Sequence, residues 1–339
     1  MGLYTFGIRE IWKDNRITEV ETSFAGGCVA FVCSDGWIRV HDLKQNITFR
    51  VTKGTTPCWL PGDKEILFVR DGKIYFCPVA EDTSDKILID GRHMGEQVRL
   101  SSPRVSAHGI IVLRCQNIWD SKNNKYQDFF YLSELRRGQL SKLVVLEKDK
   151  EKKREIECFR GEAVWNREGT ALLCETWETA GGRSYIIENV LDQPTLVACF
   201  NGSGGNFSPD GERVATFRFK DKKATMVLME KTKGDWKDRE LDIDIALRGS
   251  FRNRIHWQSD SELCFEQESS LVFVDVDEEP VREPKSTCKV ETLARLGTSS
   301  ISFLPNRRFV FVADKDTGAS LCYRSVQREG IYRVKLLAT

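Results

Sequence analysis

Apolar residues in this chain come in short runs of three to five, and polar punctuation separates them. Ile66-Leu67-Phe68-Val69, Leu172-Leu173-Cys174 and Phe309-Val310-Phe311-Val312 are examples, each bounded by Gly, Pro, Asp or Asn. Runs of that length, rich in β-branched and aromatic residues and closed by turn formers, predict strands. The runs also recur in register. An anchor residue (Phe24, Trp59, Val105, Trp165, Phe207, Trp257 or Phe303) is followed at +7 and +8 by non-polar residues in all seven copies. A second apolar run follows in each copy, such as Ile74-Tyr75-Phe76-Cys77 or Met226-Val227-Leu228-Met229, and often a third, more alternating one. Counting the anchor strand, each unit has about four strands. The mean unit is 339/7, or about 48 residues.

Four-stranded units of this length, repeated four to eight times, build β-propellers by closing radially around a channel. The expectation is therefore an all-β, seven-bladed β-propeller of four-stranded antiparallel blades, forming one domain over 1–339. The expected blades are approximately 17–52, 53–91, 98–147, 158–200, 204–245, 250–294 and 298–339. Closure needs a strand from one end of the chain. Residues 3–12, containing Leu3–Ile8, and Ile331–Leu336 both qualify.

The clearest anchor segment is Phe207-Ser208-Pro209-Asp210-Gly211, followed by an apolar strand. It resembles the WD40-like repeat of TolB-type propellers, whose blades carry this turn between their first two strands. Trp59, Trp165, Trp257 and Phe303 open degenerate versions. The segment Asp35-Gly36-Trp37-Ile38-Arg39-Val40-His41-Asp42 is similar instead to the second hairpin of true WD40 repeats, with His41 in place of Trp. The resemblance spans about 17–339. It implies a fold more than a function, because propellers host many functions. Propellers of the TolB type also serve as gating domains of serine peptidases and as metal-dependent oligosaccharide lyases. Their lyases need a clustered histidine site, which this sequence does not display.

Composition narrows the classes. With 51 Lys+Arg against 50 Asp+Glu the net charge is +1, which argues against a general nucleic-acid binder. No run of about 18 apolar residues predicts a membrane span. The first residues lack the basic-then-apolar pattern of a secretory signal, and Phe6 stands where a myristoylation site prefers Ser or Thr. The 11 cysteines include no C-x-x-C pair and mostly sit inside apolar runs. They read as small buried hydrophobes of a reducing, cytoplasmic compartment. No catalytic motif is present, so no catalytic residue, metal ligand or cofactor is assigned. Among the four histidines, His108 and His256 lie near first strands and are the only candidates for a channel metal; a structural role is the plainer reading.

Spacing also points to a working face. Loops joining second to third strands open on the same end as the inter-blade loops. From anchor to third-strand run is about 24 residues in unit three, 20 in unit four, 19 in unit five and 18 in unit seven, against 14–15 in units one, two and six; units three to five are consecutive. These longer connections predict a raised rim. They carry Trp119 and Tyr126 in unit three and Trp177 and Arg183 in unit four. The inter-blade loops add Arg92, Arg99, Arg104, Arg160, Arg248, Arg252 and Arg254. Exposed aromatics and arginines anchor partners, and guanidinium forks suit anionic groups. The expectation is a non-catalytic platform for a protein partner of acidic character, bound through Trp119, Tyr126, Trp177, Arg183, Arg104, Arg160, Arg248, Arg252 and Arg254. The alternative is an enzyme or small-ligand binder at the channel mouth, acting on an anion or carbohydrate. Packing of Trp119 and Trp177 onto strand ends, and ordinary ion pairs for the arginines, are the plain readings of the same residues. The alternating charges of Glu147–Glu155 predict a surface loop. The Asn201–Asn206 glycine stretch lacks the helix and the Lys-Ser/Thr of a phosphate loop.

Overall fold

The computed structural model describes residues 8–14, 17–120, 124–135, 137–147, 153–156, 158, 161–178, 181–220, 223–245, 255–267, 270–277, 286–289, 301–304, 308–315 and 318–325. These form strands and turns, with one short 3-10 helix at Gly91–Met94 and no α-helix. A strand β1 (Ile8–Asp14) precedes the repeats. The first sheet is β2 (Ile17–Thr22), β3 (Cys28–Cys33), β4 (Trp37–Asp42) and β5 (Ile47–Lys53). The second is β6 (Thr55–Trp59), β7 (Glu65–Arg70), β8 (Lys73–Pro78) and β9 (Lys86–Ile89). The third is β10 (Arg99–Val105), β11 (Ile110–Asp120), β12 (Lys125–Glu134) and β13 (Leu140–Lys142).

The fourth sheet holds β14 (Val144–Glu147), β15 (Lys153–Glu155), β16 (Ala163–Trp165), β17 (Leu172–Glu178), β18 (Gly181–Glu188) and β19 (Thr195–Asn201). The fifth is β20 (Ser203–Phe207), β21 (Arg213–Lys220), β22 (Lys223–Thr232) and β23 (Asp235–Ile245). The sixth is β24 (His256–Trp257), β25 (Glu262–Gln267), β26 (Ser270–Asp275) and β27 (Ser286–Lys289). The seventh is β28 (Ile301–Leu304), β29 (Arg308–Lys315) and β30 (Gly318–Ser325), with β1 on its outer edge in the order β1-β30-β29-β28. The amino-terminal strand is thus the outermost closing strand: Ile8 pairs with Arg324 and Asp14 with Ala319. Of the expected closing segments, residues 3–7 and 331–336 lie outside the described part.

The Phe207 turn explains why its motif recurs. Ser208 Oγ accepts the Arg213 N–H at 3.0 Å and donates to Asp210 Oδ1 at 2.5 Å, and Asp210 Oδ1 also accepts the Glu212 N–H. Gly211 closes the turn at φ +75°, a region that costs side-chain-bearing residues. Carboxylates also tie neighbouring turns together. Asp63 accepts the N–H groups of Phe24 and Ala25 at 2.8 Å each, and Asp260 accepts that of Asp210. Phe24 departs from the anchors Trp59, Trp165, Phe207 and Trp257, being 50% exposed.

The core lies between sheets. Val32, Ile38 and Val40 of the first sheet pack with Trp59, Ile66 and Phe68 of the second. Similar clusters join the second to the third, third to fourth, fourth to fifth and fifth to sixth sheets. The first strands neighbour one another in chain order from β2 through β6, β10, β16 and β20 to β24, and β28 neighbours β2. Each sheet therefore needs a neighbour to bury its faces, at roughly 1.5–3 kcal/mol per large apolar side chain.

One handover departs from the expected units. Leu143–Leu146 reads as the fourth strand of unit three, but β13 takes that place, and β14 pairs in parallel with β19 (Leu146 with Thr195). Leu143 and Val145 are fully buried beside Ile156 and Cys158 between the two sheets, so the chain steps across to fill that gap. Lys153–Glu155, expected in a loop, pairs with β14.

Candidate functional site

The hairpins of sheets three to five, and that of sheet seven with 8 residues in each of β29 and β30, are longer than those of sheets one, two and six. The strands β3, β4, β7, β8, β25 and β26 have 6 residues each. Strands β11 and β12 have 11 and 10, β17 and β18 have 7 and 8, and β21 and β22 have 8 and 10. The expected long loops are thus partly strand: Trp119 and Tyr126 are paired residues of β11 and β12. Beyond Gln116, the last residue paired with β10, and above Tyr131, the first paired with β13, this hairpin continues as a two-stranded ribbon.

A bulge aims the ribbon's aromatics. Between Cys115 and Ile118 the register shifts, Asn117 adopts φ +60°, its N–H donates to Asp128 Oδ1 and its side-chain amide to the Gln97 carbonyl. Leu113, Cys115 and Phe129 face the second sheet, whereas Val112 and Phe130 face the fourth. Unbroken alternation would turn Trp119 toward the second sheet. The extra residue turns it to the side of Tyr126, facing the fourth. The two rings meet edge to face at 5.0 Å and 64°, while remaining 51% and 55% exposed. Packing Trp119 away onto a strand end is therefore not what the chain does.

Across that gap stands β18. Its Tyr185 and Ile187 face the third sheet, and alternation puts Arg183 there too, opposite Thr176 on β17. Arg154 lies over Tyr185, 5.3 Å from its ring centre, and donates to its hydroxyl at 3.4 Å. Burial raises the Tyr185 phenol above its ordinary value, and a hydrogen bond to Arg183 opposes that shift. Trp177 is a β17 residue opposite Gly182, one position beyond Thr176.

The arginines divide differently from expectation. Arg104 is not in an inter-blade loop but in β10, since its register places it opposite Val112. Burial opposes its charge, yet Glu21 and, more weakly, Cys58 and Glu19 outweigh that effect and raise its pKa. Arg92 pairs with Asp90 at 2.6 Å, which Lys73 also contacts at 3.0 Å. Arg99 donates weakly to the carbonyls of Glu96 and Val98. Arg160, Arg248, Arg252 and Arg254 lie outside the described residues. The structure thus brings Trp119, Tyr126 and Arg183 toward one gap and separates Arg104 from them.

The remaining candidates scatter. His108 is exposed in the turn between β10 and β11, and His256 is half-buried opposite Cys264. His41 is buried against Thr48 Oγ1 at 2.7 Å. Among the described residues no group of three or more His, Cys, Asp or Glu is placed to hold a metal ion. Cys33, Cys58, Cys77, Cys115, Cys158, Cys174 and Cys264 are buried free thiols, and burial pushes Cys58 up to about 11 and Cys77 up to about 12. Such thiols stay protonated and unreactive at neutral pH. No described helix is long and apolar enough to cross a membrane.

Sequence reasoning missed Glu175. It reads as one polar residue in an apolar run, but it is 5% exposed and its Oε1 accepts the Gly205 N–H at 2.7 Å across to the fifth sheet.

No family model matches the chain, and no curated protein matches it in sequence. Solved structures do resemble it. An oligogalacturonate lyase from Vibrio parahaemolyticus is 10% identical at a TM-score of 0.66, over 96% of this chain and 98% of that one. The Cps50 (Swd1) β-propeller domain of Myceliophteria thermophila is 11% identical at 0.56, over 95% and 100%. The Dos1 propeller is 11% identical at 0.55, over 91% and 78%. The chain has a β-propeller fold. At these identities the likeness concerns the propeller's architecture alone.

Proposed function

We propose that this propeller is a non-catalytic interaction platform, a single seven-bladed domain over 1–339 that docks a protein partner on the face carrying the long hairpins. The observation that carries this reading is the exposed Trp119–Tyr126 pair, turned by a bulge toward a gap that Arg183 borders. Rigid aromatics beside a guanidinium are the side chains most enriched among binding hot spots. The likeness to the Dos1 and Swd1 propellers supports the propeller frame on which this reading is built. Buried free thiols support a reducing, cytoplasmic setting. Membership of the TolB-type group rests on the Phe207–Gly211 turn.

The test is capture by the full chain from its native source, compared with Trp119→Ala and Tyr126→Ala. Each variant should weaken a specific partner at least about tenfold, the signature of a hot spot. Equal retention by both variants would remove the hairpin from the interface. Salt titration then separates the acidic partner expected from the arginines from a neutral one.

A second reading rests on the lyase likeness together with Arg104 of β10 and Glu19 and Glu21 of β2, the first strands on either side of β6. In that reading the channel mouth takes an anionic or carbohydrate ligand. Calorimetry with oligogalacturonate tests it, and loss of binding in Arg104→Ala would favour it over the platform.

A further inference from the structure

The fourth and fifth sheets meet through a polar, glycine-packed seam. Glu175, Ser184, Ser203 and Thr216 are all buried there. Ser184 Oγ donates to the Gly202 carbonyl at 3.0 Å, Gly202 N–H to the Gly182 carbonyl at 2.9 Å, and Thr216 Oγ1 to the Ser203 carbonyl at 3.2 Å. Space is tight: a Cβ on Gly182 would lie 2.8 Å from the Gly202 carbonyl oxygen, and one on Gly202 2.7 Å from Thr216 Oγ1. Gly204 stands at φ +70° where β20 bulges, which presents the Gly205 N–H to Glu175.

Glu175 sits at the root of the β17–β18 hairpin, two residues before Trp177. Among the described residues it has a backbone N–H partner but no ion pair. Among the described residues, the charged groups around it have other partners or point elsewhere. On the fifth sheet, Arg218 of β21 pairs with Asp238 at 3.2 Å and Glu240 at 3.7 Å. On its own sheet, Arg183 lies on the opposite face, Glu162 contributes a backbone carbonyl to the Glu175 N–H, and Cys174 points away into the gap with the third sheet. A buried carboxylate without a countercharge is costly when ionised.

We propose that Glu175 is a proton-operated latch: when protonated it holds the hairpin root closed against β20, and when ionised it favours hydration and opening of this seam. Burial pushes its carboxyl up to about 7, against smaller opposing hydrogen bonds from Gly205 and Gly204. The latch is defined without reference to any partner. Its consequence for docking, a hairpin presented differently below and above neutral pH, rests on the platform reading above.

Two measurements on the full chain test it. Hydrogen exchange of peptides spanning 172–188 and 200–217, corrected for the intrinsic pH dependence, should speed up by about tenfold between pH 6 and pH 8. In Glu175→Gln, which retains an acceptor oxygen without charge, that response should vanish. Carbon-13 labelling should place the wild-type Glu175 carboxyl titration near neutrality. An ordinary glutamate titration, or an unchanged pH response in the Gln variant, overturns the latch. The carboxyl titration decides the matter even where the variant fails to fold. Neither readout needs a partner, so failure of docking and failure of the latch are distinguishable.

Discussion

The indole N–H of Trp257 donates to the backbone carbonyl of Asn206 at 3.0 Å, crossing from the sixth sheet to the first strand of the fifth. The same bond recurs two units earlier and two earlier again. Trp165 donates to the Arg104 carbonyl at 3.1 Å and Trp59 to the Glu21 carbonyl at 3.2 Å. In the even units the tryptophan anchor is thus both packing and stitch. It gives a second donor to a carbonyl whose register already faces the partner strand of its own sheet.

Trp257→Phe keeps most of the ring but removes that donor. Stability to urea should fall by about 1 kcal/mol, since the Asn206 carbonyl still faces Ala215 across the ladder. Trp165→Phe should behave alike. A null effect in both would mean that water replaces the indole.

Trp119 and Tyr126 support a ribbon that neither β10 nor β13 flanks, and an isolated two-stranded hairpin is marginal in water. Their coupling in a double-mutant cycle should be about 0.5–1.5 kcal/mol. Each alanine variant should keep the far-UV spectrum of the wild type, because the sheets below the ribbon are untouched. Loss of the whole fold would show that the pair is structural.

Arg39 is nearly buried in β4, bonded to Asp35 by two hydrogen bonds of 2.9 and 2.5 Å, and lies 5.3 Å from the Trp12 ring of the closing strand. The Arg39 hydrogen bond holds the Asp35 carboxyl down at about 2. A lowered folded pKa means stability that is complete above the unfolded value of about 3.9 and lost as pH falls through 2. Asp35 is 42% exposed, so screening reduces the gain, and Asp35→Asn should cost about 1 kcal/mol at pH 7. Acid titration of unfolding should lose part of its slope between pH 4 and pH 2 in the variant.

For Glu175 the sign is opposite. Its folded pKa of about 7 exceeds the unfolded glutamate value, so its contribution is complete below about 4.3 and fades as pH rises through 7. Glu175→Gln should flatten that decline. By pH 8 the variant should be the more stable protein, by roughly 1–3 kcal/mol at most. Parallel stability curves from pH 5 to pH 8 would contradict this.

Gly161→Ala tests the same neighbourhood sterically. An added Cβ would collide with the Glu175 carbonyl oxygen, a backbone atom that cannot swing aside. Destabilisation of at least about 2 kcal/mol is expected in thermal unfolding.

Strands, turns and their repetition were legible in the chain because they depend on neighbours a few residues apart. The Phe207–Gly211 turn carries its own hydrogen bonds, and the +7/+8 residues Ile66/Leu67 and Val214/Ala215 are fully buried in second strands. The long hairpins of sheets three to five were legible as spacing, though not as strand. Arg104 was misplaced because nothing local tells a loop arginine from one that Glu21 and Glu19 sustain inside a strand.

What the sequence by itself determined is the alternation of short strands and tight turns, since backbone preference and period-two patterning act locally. Tertiary structure alone decided which faces those strands present. One extra residue at Asn117 turns Trp119 toward the fourth sheet, and two buried side chains, Leu143 and Val145, send β14 across to a neighbouring sheet. The same holds for Glu175, whose charge depends on groups thirty residues away, at Gly205. Register shifts, crossovers and desolvation arise only when distant segments compete for the same space, and no single run of residues encodes that competition.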